Sequence, residues 1–162
     1  MKWYVLQVMT GFEDAIRDGL LSKGIHAAVA HERRVLRSGG KWLERDYVVI
    51  PSYVFVRIEY TDSLYYILKG TQGVIQLLGN CGRPSPLLPE EEDWIQSWEQ
   101  PLVPSKVHFA RDGTYQVING PLAGENVKLL NLDRHRRRAK VEINILGKPQ
   151  ITYLSLEVLK EF

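Results

Sequence analysis

The stretch 113–140 places the strongest constraint on how this chain can fold. Two strand-like runs, 114–118 and 127–132, flank the turn sequence Asn119-Gly120-Pro121. Asn-Gly readily adopts positive φ and proline cannot donate to a strand ladder, so the chain is expected to reverse there. A third strand-like run, 141–145, follows a second reversal at 133–138. The pattern predicts a compact all-β structure over the last third of the chain.

The second reversal concentrates positive charge. The basic residues in and around it, which form the candidate nucleic-acid-binding set, are Lys128, Arg134, His135, Arg136, Arg137, Arg138 and Lys140. Arginine presents a fixed fork of donors that suits phosphate and the edge of guanine. Four arginines in five positions also repel one another unless an anion is close. The hairpin tip therefore either binds nucleic acid or is a solvated hairpin end, which is the usual role of a charge run.

Composition limits the broad class of the protein. Of 162 residues, 44% are hydrophobic and 25% charged, as in an ordinary globular protein. No apolar run approaches the roughly 20 residues of a membrane span. The single Cys81 excludes an internal disulfide and a cysteine-based metal site. These features predict a cytoplasmic protein that does not contact a membrane.

The first two thirds of the chain alternate strand and helix patterns. Strands are predicted at 2–8, near 25–30, at 51–58 and at 74–78, and helices follow Thr10, Asp62 and Leu88. Residues 31–49 interrupt this order with a basic arm whose Gly39-Gly40 pair predicts the tip of an exposed hairpin. The favoured interpretation of this arm is a solvated loop.

One predicted strand carries aromatic side chains on one face. In the strand at 51–58, Tyr53 and Phe55 share a face opposite Val54 and Val56. The aliphatic side is the natural core face. The aromatic pair is then either covered by a helix or left as a docking surface, and covering is the commoner outcome.

These patterns predict an α+β protein with two domains: an α/β domain at 1–99, a linker at 100–110 with two prolines, and an all-β domain at 111–162. The histidines are scattered without metal-ligand spacing, and no nucleophile elbow, P-loop or G-x-G-x-x-G occurs. The sequence therefore predicts neither an enzyme nor a cofactor.

Six short motifs, taken in order, resemble the NusG family of transcription elongation factors. They are Trp3-Tyr4-Val5, Gly11-Phe12-Glu13, Pro51-Ser52-Tyr53-Val54-Phe55-Val56, Thr71-Gln72-Gly73-Val74, Pro86-Leu87 with Glu90-Glu91-Glu92, and Asn119-Gly120-Pro121-Leu122-Ala123-Gly124. The last resembles the start of a KOW motif, and the closing Leu156-Glu157-Val158 fits the end of that family's small β-barrel. The resemblance covers essentially the whole chain.

The resemblance implies a monomeric, non-catalytic factor whose N-terminal domain docks on the clamp helices of RNA polymerase. Tyr53 and Phe55 then fall in the polymerase-binding groove, and Leu64, Tyr65 and Tyr66 fall where relatives touch the gate loop. The C-terminal KOW β-barrel is implied to recruit other factors.

Two departures from the family pattern point to a specialised paralogue. Ser52 stands in place of a glycine before Tyr53, and Val127 stands where a KOW motif usually has glycine. In RfaH-like paralogues the C-terminal domain can refold as a helical hairpin, whereas LoaP-like paralogues bind a hairpin in the nascent RNA. The β-patterned, arginine-rich segment resembles the LoaP-like antiterminators, because structured RNA is bound largely through its backbone. The alternative is an adaptor whose barrel recruits a ribosomal protein or the Rho helicase.

Overall fold

The computed structural model describes residues 1–80 and 83–159, apart from the side chains at positions 35, 36 and 80. The helices are α1 (Glu13–Ser22), α2 (Asp62–Lys69) and α3 (Pro89–Ser97). The strands are β1 (Lys2–Val8), β2 (His26–Ala28), β3 (His31–Ser38), β4 (Lys41–Val48), β5 (Tyr53–Ile58), β6 (Val74–Leu77), β7 (Gly79–Asn80), β8 (Arg83–Pro84), β9 (Ser105–Phe109), β10 (Tyr115–Asn119), β11 (Lys128–Asp133), β12 (Arg138–Ile145) and β13 (Lys148–Leu159). Within the described ranges, no helix has the length and apolar character needed to cross a membrane.

The chain divides into two compact units. The first unit comprises Met1–Ala30 and Ile50–Glu99, and the second comprises His31–Val49 and Gln100–Phe162. The last three residues, 160–162, lie outside the described residues. The predicted division placed the basic arm at 31–49 in a domain spanning 1–99. In the structure, this arm belongs to the second unit.

The first unit is built on an antiparallel sheet with the strand order β2-β5-β1-β6. The two central strands are apolar and buried on both faces, as the sequence predicted for β1. Trp94 of α3 packs edge-on against Phe55, with ring centroids 5.9 Å apart. Ile16 and Leu20 of α1 are also buried, so helices contribute to the core beside the sheet.

Ser52 adopts the backbone conformation that glycine favours. Its φ is 71°, a left-handed value that costs a non-glycine residue about 1 kcal/mol. The Glu13 carboxylate accepts a hydrogen bond from Ser52 N at 3.2 Å, and the Ser52 and Thr10 hydroxyl oxygens lie 2.5 Å apart. The side chain that replaces glycine therefore has one local hydrogen bond, with the Thr10 hydroxyl, that offsets part of the strain.

The second unit contains a five-stranded sheet with the order β10-β9-β13-β12-β11. Strands β9 and β13 run parallel, and the other pairs are antiparallel. The turn after β10 was predicted from Asn119-Gly120-Pro121, and its geometry requires glycine. Gly120 has φ of 100°, and a Cβ on it would lie 2.6 Å from Cα of Ser105. The serine hydroxyl in turn accepts a hydrogen bond from Leu122 N at 2.9 Å.

Strands β3 and β4 form a long hairpin, hereafter the inserted hairpin, with its tip at Gly39-Gly40 as predicted. Its base joins the second unit through backbone hydrogen bonds of 2.8 Å from Arg33 N to Leu102 O and from Leu102 N to His31 O. The hydroxyl of Thr152 in β13 also donates to Val49 O at 2.5 Å. The inserted hairpin is thus not a free solvated loop, which corrects the favoured interpretation of the sequence.

Residues 105–109 form a strand within the segment predicted to be a linker. Strand β9 lies between β10 and β13, and Ser105, Val107 and Phe109 are buried at alternate positions. Pro101 and Pro104 suggested a linker, but they stand before the strand, where they do not interrupt its ladder. The signal in the sequence was the alternation of Val107 and Phe109 with polar residues, and the two prolines drew attention away from it.

Candidate nucleic-acid interface

The turn between β11 and β12 holds the arginines at 134–138, hereafter the arginine turn. Asp133 pairs with Arg138 at the end of the ladder, which confirms the predicted hairpin tip. The Asp133 carboxylate accepts from Arg136 N at 3.0 Å, and Arg137 has a left-handed φ of 55°. The Arg137 carbonyl accepts from Leu156 N at 3.0 Å. These two hydrogen bonds restrain the backbone of the turn.

The structure brings together only part of the predicted basic set. Arg136, Arg137 and Arg138 line one open cleft of about 730 Å³, hereafter the arginine cleft. Lys140 lies two positions after Arg138 on β12, and so on the same face of the strand. Among the described residues, no ion-pair partner lies within 4.0 Å of the exposed Arg137.

The other members of the predicted set lie elsewhere. Arg134 places its guanidinium carbon 5.4 Å from the centre of the Phe109 ring, a cation–π contact. Lys128 lies opposite Glu142 at the start of β11, away from the turn. His135 is exposed at the tip, and neither it nor Arg134 or Lys128 lines the arginine cleft.

The second wall of the arginine cleft comes from the inserted hairpin. Its residues there are Arg33 and Arg34 of β3 and Glu44 of β4, and the remaining lining residues are Val103, Pro104, Ser155, Leu156 and Glu157. The described residues of the lining include five arginines and two carboxylates, an excess of positive charge. The basic character of the inserted hairpin was visible in the sequence, but its position beside the arginine turn was not.

A buried carboxylate joins the two walls. Glu32 is 1% exposed, and its Oε1 accepts from Ser155 N at 2.7 Å. Its Oε2 lies 3.4 Å from Nη2 of Arg34 and 3.7 Å from Nη1 of Arg138. Arg138 also donates to the Ser155 hydroxyl at 2.9 Å. One carboxylate therefore holds one arginine from each wall.

Burial and two charged neighbours act on the Arg138 guanidinium. Burial, and then the neighbouring Arg34, lower the pKa of the Arg138 guanidinium, while Glu32 acts in the opposite direction. Arg34 stacks on Tyr47, with its guanidinium carbon 4.4 Å from the ring centre. Its buried Nε has no hydrogen-bond partner among the described residues. An anion in the arginine cleft would relieve the repulsion between the two guanidinium groups.

Sequence reasoning missed Glu32, Arg33 and Arg34 because their partners are remote. Glu32 and Ser155 are separated by 123 positions, and no local periodicity links them. The available signal was the strand segment His31-Glu32-Arg33-Arg34, where an acid precedes two arginines next to a hairpin. Such a pattern indicates a carboxylate that pairs with arginine, but it does not identify a second arginine from elsewhere.

The structure contradicts a docking role for Phe55 in the first unit. Phe55 is 0% exposed and lies against Trp94, so it has no surface to offer a partner. Of the two alternatives drawn from the sequence, covering by a helix is the observed one. Tyr53, at the start of β5, is half-buried and keeps part of its ring accessible.

The predicted residues of α2 lie in a cluster of tyrosine rings. Ring centroids are 5.5 Å apart for Tyr4 and Tyr60, 6.5 Å for Tyr60 and Tyr65, and 5.4 Å for Tyr65 and Tyr66. Leu64 and Tyr65 are half-buried, whereas Tyr66 is 71% exposed. Loss of hydration, and then Asp62, raise the pKa of Tyr60.

Comparison with known proteins identifies the family. The family model described as "Transcription termination factor nusG" matches residues 1–96, which is more than half of the chain. The chain belongs to the NusG family. Among the described residues, no cluster of three or more His, Cys, Asp or Glu side chains is placed to hold a metal ion.

Relatives of NusG type extend the match over both units. The "Transcription termination/antitermination protein NusG" of Bacillus subtilis is 28% identical over 159 residues, 90% of each chain. The protein of the same name from Halalkalibacterium halodurans is 28% identical over 160 residues, again 90% of each chain. A solved structure titled "Domain interaction in Thermotoga maritima NusG" has a TM-score of 0.56 at 19% identity and covers 96% of this chain and 93% of its own, which supports the fold.

These comparisons confirm the family inferred from the sequence motifs. The chain is a NusG-type transcription termination/antitermination factor with an N-terminal NusG domain in a mixed α and β fold. The LoaP-like specialisation stays a prediction.

Proposed function

We propose that this NusG-family factor is a LoaP-like antiterminator that binds RNA polymerase through its first unit and a hairpin of the nascent RNA through its second. The second unit, with its five-stranded sheet and glycine-dependent turn, serves as the KOW domain. The role is one of binding and carries no catalysis.

One observation carries the RNA-binding part of this proposal. Arg136, Arg137 and Arg138 project from a turn fixed by backbone hydrogen bonds into one open cleft. Among the described residues, Arg137 has no ion-pair partner within 4.0 Å, and Arg138 shares the carboxylate of Glu32 with Arg34. Guanidinium groups held in this way are well suited to the phosphate backbone of folded RNA.

The test is the binding of the full-length chain to a panel of short RNA hairpins at several salt concentrations. In Arg136→Ala/Arg137→Ala/Arg138→Ala, we expect affinity for the preferred hairpin to fall about 100-fold or more. The slope of log K against log salt should become shallower by about 2 to 3, because each phosphate contact contributes about one unit.

The matched control removes three exposed lysines of the second unit that do not line the arginine cleft. They are Lys41, Lys106 and Lys148. This variant should bind RNA within about threefold of the unaltered chain, since only long-range attraction is lost. Equal losses in the two triple variants, or no preference among hairpins, would reject RNA recognition by the arginine turn.

The tyrosine cluster supports the polymerase-binding part. Tyr66 is an exposed aromatic residue beside the half-buried Tyr65 and Leu64, and such aromatics are enriched among residues that dominate protein interfaces. Tyr66→Ala should weaken binding of the full chain to core RNA polymerase about 30-fold, equivalent to about 2 kcal/mol. Tyr115→Ala, which removes a 50% exposed ring in the second unit, should leave this affinity unchanged. A full-strength complex with the Tyr66 variant would exclude this face.

A second function for the five-stranded sheet has its own support. Leu130, Ile151 and Tyr153 are 42%, 50% and 50% exposed on β11 and β13. Exposed apolar side chains of this kind favour docking of a protein such as a ribosomal protein or Rho. Binding of that kind would depend weakly on salt, so the salt series separates it from RNA binding.

A further inference from the structure

The arginine cleft has two walls that come from distant parts of the chain. The arginine turn supplies three guanidinium groups, and β3 of the inserted hairpin supplies Arg33 and Arg34. In the NusG-type fold of this chain, the inserted hairpin thus contributes positive charge to the same surface as the proposed RNA-binding turn. The two carboxylates of the lining, Glu44 and Glu157, leave a positive excess.

The two arginines of the inserted hairpin keep donors free for a ligand. A guanidinium group has five N–H donors. Arg34 uses Nη2 toward Glu32 at 3.4 Å, and its side chain is 27% exposed. Arg33 uses Nε toward Asp46 at 3.2 Å, and its side chain is 47% exposed. Both residues can therefore donate to an anion without giving up the contacts that hold them.

Glu32 fixes the distance between the walls. Because its carboxylate contacts both Arg34 and Arg138 and accepts from Ser155 N, the two arginines are aimed before any ligand arrives. Long cationic side chains lose considerable rotamer freedom when they are ordered, so this arrangement lowers the entropic cost of binding.

The lining indicates which part of an RNA would be contacted. None of the described residues that line the arginine cleft is aromatic, whereas single-stranded RNA is usually bound by stacking its bases on aromatic rings. Arginine forks facing each other suit phosphate oxygens on the backbone of a paired stem. The cleft is therefore matched to the shape and charge of a stem, with little readout of unpaired bases.

We propose that Arg33 and Arg34 of the inserted hairpin and the arginines at 136–138 form one two-walled clamp for the phosphate backbone of an RNA stem. This inference rests on the proposed RNA-binding function and adds a second group of binding residues to it. Glu32 is a positioning residue of the clamp, because it orients arginines from both walls and is itself buried.

The experiment measures binding of the full-length chain to a short RNA stem-loop and to an unpaired RNA of the same composition, each over a salt series. Arg33→Ala/Arg34→Ala should weaken stem-loop binding about 10- to 100-fold and make the salt slope shallower by about 2. The unaltered chain should prefer the stem-loop to the unpaired RNA.

The matched control is Arg37→Ala/Lys41→Ala, which removes the same charge from the same hairpin at exposed positions outside the arginine cleft. Its affinity should stay within about threefold of the unaltered chain. Equal losses in the two double variants would overturn the clamp, since the effect would then be general attraction. Unchanged binding in Arg33→Ala/Arg34→Ala would overturn it as well.

A variant of Arg33 alone is less able to disturb folding than the double variant. Arg34 contacts the buried Glu32, whereas Arg33 is exposed and pairs only with Asp46 among the described residues. Arg33→Ala alone should weaken stem-loop binding about 3- to 10-fold with a slope shallower by about 1, and unchanged binding would overturn the proposal.

Failure of the clamp differs from failure of the proposed function. Loss of binding in Arg136→Ala/Arg137→Ala/Arg138→Ala alone would keep the RNA-binding turn and reject the second wall. A chain that binds no RNA in any form would reject both.

Discussion

At the scale of single residues, Glu32 organises a surface whose charge it opposes. The carboxylate accepts from one backbone amide and faces two guanidinium groups, so most of its acceptor positions are used. Arg34 and Arg138 are about one quarter exposed, which lets them reach solvent beyond the buried carboxylate. A buried negative charge thus serves to present positive charges in a fixed arrangement.

Removing that carboxylate should destabilise the second unit. In Glu32→Ala, Ser155 N loses its acceptor and the two arginines face each other without a counter-ion, so we expect a loss of about 3 kcal/mol in the free energy of unfolding. Urea unfolding followed by circular dichroism measures it. Glu44→Ala, at an exposed position of the same hairpin, should change stability by less than about 0.5 kcal/mol. Similar values for the two variants would mean that Glu32 has no structural role.

At the scale of elements, local chemistry predicted most strands and turns. The reversals at Asn119-Gly120 and at the arginine turn were both predicted, because glycine geometry and alternation are local properties. Strand β9 was missed since the preceding prolines outweighed a five-residue alternation. The attachment of the inserted hairpin and the covering of Phe55 by Trp94 depend on packing between remote segments, which one sequence does not encode locally.

The burial of Phe55 predicts different outcomes for two neighbouring aromatics of β5. Phe55→Ala should lower the free energy of unfolding by about 3–5 kcal/mol, because it leaves a cavity beside Trp94 in a fully buried site. Tyr53→Ala should cost less than about 1.5 kcal/mol, since its ring is half-buried. Urea unfolding of both variants, monitored by tryptophan fluorescence, gives the comparison. A small loss of stability in Phe55→Ala would make Phe55 a candidate contact residue for RNA polymerase again.

At the scale of the whole molecule, neither unit is formed by one continuous stretch of the sequence. The chain passes from one unit to the other after Ala30, after Val49 and after Glu99. Two segments far apart in sequence therefore make up the second unit, and the arginine cleft needs both. The boundary near 110 was predicted from composition. Composition cannot show that an earlier insertion, here 31–49, packs with a later segment of the chain.

This organisation predicts that fragment 111–162 will not fold as a domain. It lacks β9, which pairs with both β10 and β13 and buries Val107 and Phe109. We expect no cooperative thermal transition by circular dichroism and poor dispersion of amide proton resonances. Fragment 100–162 restores β9 but not Glu32, and it should melt at a lower temperature than the second unit of the full chain. A cooperative transition in fragment 111–162 would contradict the assignment of β9 to the sheet.

The hydrogen bond between Glu32 and Ser155 of β13 also determines when, during translation, the arginine cleft can form. The inserted hairpin leaves the ribosome early, but its partner Ser155 follows 123 positions later. At the usual rates of translation, the hairpin waits on the order of ten seconds before Ser155 is available to Glu32. Chains released before β13 is made would carry both sets of arginines without the framework that aligns them. The arginine cleft can therefore be completed only after β13 has been translated.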